Sequence, residues 1–573
     1  METLPGGGPR ITTVDAEGRV ASVTGTAVTP EWHTYGPGWE RVAYGAPDGA
    51  RWEKTWRDGL GRVTRVERAG ANGNVLVTEN SYNAKGQLAR VERTGQAPVA
   101  YAYDAWGERV SEQVGARLPR ETATAYVLVD GEPWLETLVA VSNLVRRVRV
   151  DAEGLRQVST DVRGNETETV IEEEGAWRTV TTTFPGVGNP SVEVALDGVT
   201  VQTVSASCVT NSTAYDKYLR VVAETDGRGN VTARAYDARG RLASVTDAVG
   251  ATTAYGYDEA GRVCAVTNAL GSVTVYGYDV RGNKTYEGGA VYPVVYDYDL
   301  FGQQVGMTTF RDEASGEGDS TTWVYDEATG SLLSKTYADG HGVSYTLTDV
   351  GQAATRTDAR GNVTAYAYNV YGDLVSQTYS DGTPAVGYVY DVFGRQAQAT
   401  DAVGTTTFGY NAYGELETES ITGEYAKTLT HHFDAYGRDA GYSVNGSRRM
   451  TLGYDPATGR LATMNEGGNF AWAYLPGSDL KARLTYPNGL TAEWAYEPGR
   501  DLLTAVTNSL PDGTTLSTYV YANDLLGRRV SKNDEQYGYD FRDQLTSADV
   551  RSYAYDDIGN RTVAEGRAYT ANA

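Results

Sequence analysis

The chain has 573 residues, a formal net charge of −24 and an isoelectric point near 4.7. An acidic balance of this size argues against a nucleic acid or an anionic membrane surface as partner, since both present phosphate, and it fits a soluble, self-repelling surface. Two cysteines, Cys208 and Cys264, are too few for a disulfide framework. No run of about 18 apolar residues offers a membrane span, and the start METLPGGGPR lacks the basic and apolar regions of a secretory signal.

Aromatic usage is lopsided, with 42 Tyr against 8 Phe. A dry core has no reason to prefer the hydroxyl, whereas a sheet with one side wet packs the ring and sends the oxygen to water. Both cysteines lie in strand-like segments and are expected to be small buried residues.

In chain order, residues 1–114 hold the first copies of a short repeat, including SYNAKGQLAR and YAYDAWGERV within 81–110. Residues 115–222 are less regular and read as divergent, strand-rich repeats. Within them PWLETLVAVSNLVRRVRV, 133–150, places Trp134, Leu138, Val141, Val145 and Val148 at helical spacing. Its five valines and hairpin-like flanks predict strand instead. VIEEEGAWRTVTTTF, 170–184, belongs to the same region, while GEYAKTLTHH and SLPDGTTLST read as longer loops.

Residues 223–573 carry the pattern most clearly. Asp237, Asp247, Asp258, Asn268 and Asp279 follow one another at steps of 10, 11, 10 and 11, and each opens a D/N-x-x-G segment. The Asp or Asn caps its own backbone and the glycine takes a positive φ, which predicts a type I turn with a bulge. Between turns lie six or seven residues rich in Val, Thr and Tyr, too short for helices and suited to strands. The 21-residue unit is thus two strands and two turns, and successive units form an antiparallel meander. Tyrosine pairs two apart, such as Tyr255/Tyr257, Tyr276/Tyr278 and Tyr553/Tyr555, share one face and are expected to stack between repeats as a ladder.

One strand per ~10–11 residues gives on the order of 50 strands and a ribbon about 240 Å long. Open twisted sheets rarely exceed ~10 strands without curling, and no helix is available to cover a face. The expected fold is all-β: a long hairpin meander coiled into a large hollow shell or barrel, with almost no helix.

The corners YDARGRL, YDEAGRV, YDVRGNK, YDVFGRQ and YDDIGNRT, repeated at about 21 residues over most of 58–562, resemble the YD- or Rhs-repeat family. That family includes bacterial Rhs polymorphic toxins, the B–C components of insecticidal Tc toxins and animal teneurins. The resemblance implies a spiralling β-shell that, in bacterial members, holds a C-terminal toxin domain inert until delivery. It also implies a set of structural corner residues: Tyr236, Asp237, Gly240 and Arg241; Tyr257, Asp258, Gly261 and Arg262; Tyr278, Asp279 and Gly282; Tyr390, Asp391, Gly394 and Arg395; and Tyr555, Asp556 and Gly559. The family's D-P-x-G segment, with its adjacent aspartic self-cleavage site, has no match after YDDIGNRT. The chain is therefore expected to be a shell portion without its plug, protease or cargo.

Catalytic chemistry finds little support in the residues. His33, His341, His431 and His432 are scattered, and the adjacent His431 and His432 lack metal-ligand spacing, so neither a metal nor a cofactor is expected. G-x-S-x-G and P-loop motifs are absent. A carboxylate pair of glycosidase type is the enzymatic alternative, but the aspartates recur at every corner, unlike a single active site. Arg241, Arg262, Arg395, Arg460 and Arg528 are expected to pair with turn or cross-strand carboxylates.

The expected function is encapsulation of the protein's own C-terminal toxin or cargo, secreted or at the cell surface, with secretion-apparatus or cap components as further partners. The alternative is adhesion or glycan binding through aromatic rows such as Trp472/Tyr474 and Trp494/Tyr496.

Overall fold

The computed structural model describes residues 2–3, 9–556, 559–564 and 567–568. Among them are 54 β-strands and two short 3-10 turns, Ala71–Gly73 and Glu313–Ser315. Every strand pairs antiparallel with its neighbours in sequence, as in Ala254↔Thr267 and Ala265↔Val275. No helix among the described residues is long and apolar enough to cross a membrane. Most strands have five or six residues, but the hairpin Arg120–Val129 and Glu132–Val141 has ten on each side. The segment with helical spacing at 133–150 is therefore strand, as its valines predict.

Each corner follows from local chemistry. At Asp258 the backbone N–H donates to the Arg262 carbonyl at 2.9 Å, and the Gly261 N–H donates back to the Asp258 carbonyl at 3.1 Å. The Gly261 φ of 84° is the left-handed value that a side chain disfavours. The register shifts between Gly256 and Tyr257, leaving Cys264 as the extra bulge residue. Cys264 lies half-buried in the strand Val263–Thr267, but Cys208 does not match its strand reading. It is exposed at a turn with φ 61°, where its N–H bonds the Ser205 carbonyl at 2.8 Å. Ser205 takes the corner-opening place that Asp usually fills, which hid the turn. The two supposed long loops also shorten, because Lys427–Phe433 and Thr515–Asn523 are strands.

The sheet is a single layer. Buried apolar side chains are few and scattered, among them Val23, Ala43, Val91, Trp134, Leu347 and Ala492. The accessible surface is 31357 Å². A compact protein of 61.7 kDa would expose only about 20,000 Å². The difference is the signature of a wall with solvent on both sides.

The wall closes on itself along a seam. Thr29 Oγ1 donates to the Leu300 carbonyl at 3.1 Å, with the twenty-five strands from Glu31–Gly36 to Val294–Tyr298 between them. Arg163 meets Glu415 across the twenty-three strands from Glu166–Glu174 to Thr405–Tyr410. Backbone bonds follow the same path: Ala97 N–H to the Val370 carbonyl at 2.7 Å, and Gly188 N–H to the Pro456 carbonyl at 2.7 Å. An odd number of strands ends on the opposite rim of the ribbon. Each turn therefore climbs by one strand length, and the ribbon is a spiral, not a closed ring.

Candidate functional site

The repeated feature is the corner. Asp237 Oδ1 accepts the N–H groups of Arg239 and Arg241, each at 2.9 Å, and its Oδ2 accepts Arg241 Nε at 2.8 Å. The backbone amide of Arg241, with its guanidinium, holds the Asp237 carboxyl below the usual carboxylate range. Arg262 does the same to Asp258. At Asp279 and Asp556 the fifth corner residue is Asn, and Asn283 Nδ2 and Asn560 Nδ2 reach Oδ2 at 2.8 and 3.0 Å. At Asp391, Arg395 returns with Nε at 2.8 Å. Gly240, Gly282, Gly394 and Gly559 take positive φ of 80–93° at the same place in their corners.

The tyrosine that precedes each corner ties it to the previous one. Tyr257 OH donates to the Leu242 carbonyl at 2.7 Å, Tyr278 OH to Val263 at 2.7 Å, and Tyr236 OH to Val221 at 2.7 Å. Tyr390 and Tyr555 bond the Leu374 and Leu545 carbonyls at 2.8 and 3.0 Å. These rings do not stack on one another as the tyrosine pattern predicts. Equivalent tyrosines stand two strands apart, about 9.6 Å, too far for ring contact. The corner arginine fills the gap: Arg241 lies 4.2 Å from the Tyr257 centroid and Arg262 4.7 Å from that of Tyr278. Burial pushes the hydroxyls of Tyr390, Tyr410 and Tyr454 up.

The five corner arginines singled out in the sequence all meet carboxylates: Arg241 with Asp237, Arg262 with Asp258, Arg395 with Asp391, Arg460 with Asp479, and Arg528 with both Asp524 and Asp543. The pair Trp472/Tyr474 and the pair Trp494/Tyr496 are half-buried. Tyr474 and Tyr496 spend their hydroxyls on the Leu461 and Lys481 carbonyls at 2.8 and 3.0 Å. Neither pair stands out as a flat exposed platform.

Sequence reasoning missed the residues of the seam. Here the third and fifth positions of a second-turn corner are gripped by an arginine of the first turn. Arg51 lies 3.8 Å from the Phe301 centroid and bonds Gln303 at 3.1 Å. Arg117 lies 4.3 Å from the Tyr371 centroid and pairs with Asp373. Arg163 lies 4.1 Å from the Tyr413 centroid and pairs with Glu415. Arg228 pairs with Asp501. The available signals were D-x-R-G-N, which stands at 161–165, 226–230, 279–283 and 358–362, and the aromatic third residue of corners between 299 and 438.

Two clefts lie along this seam, one between Asp226 and Asp501 and one between Arg117 and Tyr371. Among the described residues no group of three or more His, Cys, Asp or Glu could hold a metal ion. His33 and His431 instead contact Glu40 and Glu419 at 2.9 and 2.7 Å.

Residues 215–252, 236–271 and 257–291 match the family model described as RHS Repeat. Residues 215–291 carry Rhs repeats. The whole ribbon is similar in fold to the crystal structure of TcdB2-TccC3-Cdc42, with a TM-score of 0.53 at 14% identity over 97% of this chain and 36% of that one. It is likewise similar to TcdB2-TccC3 without its hypervariable C-terminal region, with a TM-score of 0.56 at 13% identity over 92% of this chain and 35% of that one. The chain thus spans about a third of the length of these solved chains. No curated protein matches it in sequence.

Proposed function

We propose that this Rhs ribbon is part of a non-catalytic shell that encloses a toxin polypeptide of the same protein and shields it until delivery outside the cell. The observation that carries this reading is the single-layered wall, wet on both sides and joined to itself by a spiral seam. A turn of twenty-three to twenty-five strands has a contour of about 110–120 Å, or roughly 35–38 Å across if circular. Side chains on both walls narrow that to about 25 Å. A folded 100-residue domain is about 34 Å in diameter. Such a lumen favours an extended or unfolded cargo over a folded one.

The mechanism is exclusion. Ladder hydrogen bonds between neighbouring strands and corner contacts along the seam make the wall a barrier to a protease. The wall carries half-apolar strands such as Val273–Tyr278, which offer an unfolded chain weak contacts along its length. The fold's neighbours are TcdB2-TccC3 complexes, one of them solved without a hypervariable C-terminal region, and the resemblance to Rhs and Tc toxins supplies the cargo class.

The test is to express the complete gene and digest the product with a protease of broad specificity. Cargo inside the shell should survive while the same cargo expressed alone is cleaved. Equal digestion rates would overturn the proposal.

A further inference from the structure

One hairpin of the first turn outruns its neighbours. Arg120–Val129 and Glu132–Val141 pair along all ten residues, from Arg120↔Val141 to Val129↔Glu132. The preceding strand, Arg109–Val114, meets Arg120–Val129 at Ser111↔Glu121 and Glu112↔Arg120. Past Glu121 the outer edge of the long strand pairs with no other described strand. Its Arg120 end adjoins the seam, where the Leu118 N–H donates to the Val392 carbonyl at 3.2 Å, so the free edge runs toward the opposite rim.

The turn decides which way the backbone groups point. Asp130 and Gly131 have φ of 52° and 88°, the signature of a type I′ turn closing a two-residue hairpin. In such a hairpin the flanking residues, here Val129 and Glu132, exchange both backbone bonds. Alternation then turns the N–H and C=O groups of Val127 inward and those of Thr124, Tyr126 and Leu128 outward. The side chains are bare as well: Tyr126 is 81% exposed, Leu128 74%, and Leu135, which faces Tyr126, 38%. The other edge of the same tip is blunted. Pairing with Leu144–Asp151 ends at Trp134↔Asp151, and the next residue outward is Pro133, which has no N–H to offer. The run from Thr122 to Val129 holds neither a charge, nor a proline, nor a bulge.

We propose that Thr124–Val129 is an interaction edge whose occupant is a second copy of this chain, docked antiparallel about a two-fold axis at Val127. The edge is complementary to itself. With Val127 facing its own copy, Tyr126 of each chain stands opposite Leu128 of the other, and each such pair exchanges both backbone bonds. The tyrosine ring then packs on the leucine side chain, a favourable cross-strand neighbour. Charge selects the place of contact. Two chains of formal charge −24 repel each other, and the uncharged run from Thr122 to Val129 lets them approach at least cost. The two-fold relation makes one edge both site and ligand, and the two long hairpins continue one sheet across the axis. The inference rests on this hairpin and is independent of what the shell contains.

The probe is the full chain itself. Analytical ultracentrifugation at rising concentration should show its mass moving from 61.7 kDa toward twice that value. Added salt should strengthen the association, because it screens the repulsion between acidic copies. Leu128→Lys places a charge on the edge and should raise the dissociation constant about tenfold or more. Leu128 is exposed, and unchanged circular dichroism will show that the sheet persists. The register is read by crosslinking in a Cys208→Ser background, which removes the exposed thiol. Val127→Cys should form an intermolecular disulfide on mild oxidation, since a residue on the axis meets itself as a non-hydrogen-bonded pair with Cα atoms about 4.5 Å apart. Ala123→Cys, displaced from the axis, should not. A monomer at every concentration, a dimer that L128K leaves undiminished, or equal crosslinking at 123 and 127 overturns the proposal. None of these results bears on cargo protection, which the digestion experiment reads separately.

Discussion

Arg241 joins two corners at once: its Nε bonds Asp237 at 2.8 Å while its guanidinium lies 4.2 Å from the ring centroid of Tyr257. Tyr257 in turn donates to the carbonyl of Leu242, the residue after Arg241. The repeated letters Y, D, G and R are thus parts of one chain of contacts running from corner to corner along the rim.

Removing the tyrosine hydroxyl should loosen one link. Tyr257→Phe keeps the ring under Arg241 but leaves the Leu242 carbonyl without its donor, at a cost of about 0.5–1.5 kcal/mol. In a repeat array the loss stays near its site. Hydrogen exchange should quicken over about residues 242–262 and stay unchanged beyond about residue 300; uniform acceleration would contradict the picture.

The corner glycine is required by its backbone. Gly261→Ala places a side chain at φ 84° and should cost about 1–2 kcal/mol, while Gly261→Asn should cost less. Nothing but the Arg241 guanidinium comes near the added Cβ, at 4.0 Å, so crowding is not the cause. Denaturant midpoints of the two variants, compared with the parent, will check the order.

Charge reversal across the seam should be reciprocal. Arg163→Glu sets two carboxylates against each other at a half-buried contact and should cost about 2–3 kcal/mol. Glu415→Arg should do the same, and the double reversal should recover most of the loss. Limited proteolysis near 161–165 and 411–415 reads the opening directly, and a double variant as labile as either single one would count against the seam.

Stability should fall in acid and in alkali for separate reasons. Asp237 and Asp258 are held below the ordinary carboxylate value by backbone bonds from Arg241 and Arg262. The Arg62 and Arg220 side chains act first on Asp58 and Asp216. A lowered folded pKa gives stability that is complete above the unfolded value of about 3.9 and is lost as pH falls through the folded values. Tyr390, Tyr410 and Tyr454 are raised by burial, so their contribution is complete below about pH 10 and is lost as pH rises through their folded values. Thermal midpoints should therefore stay level across neutral pH and drop below about 4 and above about 10; a maximum at the isoelectric point would be wrong.

Much of this fold was legible because its instructions are short-range. D-x-x-G closes a turn within five residues, and Val, Thr and Tyr between turns leave only strand. Cys208 was misread because Ser205 opens its turn in place of Asp. The tyrosine ladder was misread because adjacency in the repeat was taken for adjacency in space, when an arginine stands between the rings.

By itself the amino-acid sequence determined the corners, the strand length, the antiparallel order and the need for so long a ribbon to curl. Only the tertiary structure decided that Arg163 meets Glu415. The physical reason is that the number of strands per turn is the sum of many small twists and bends. No single repeat encodes that sum, yet it selects which corners, some 250 residues apart, come face to face.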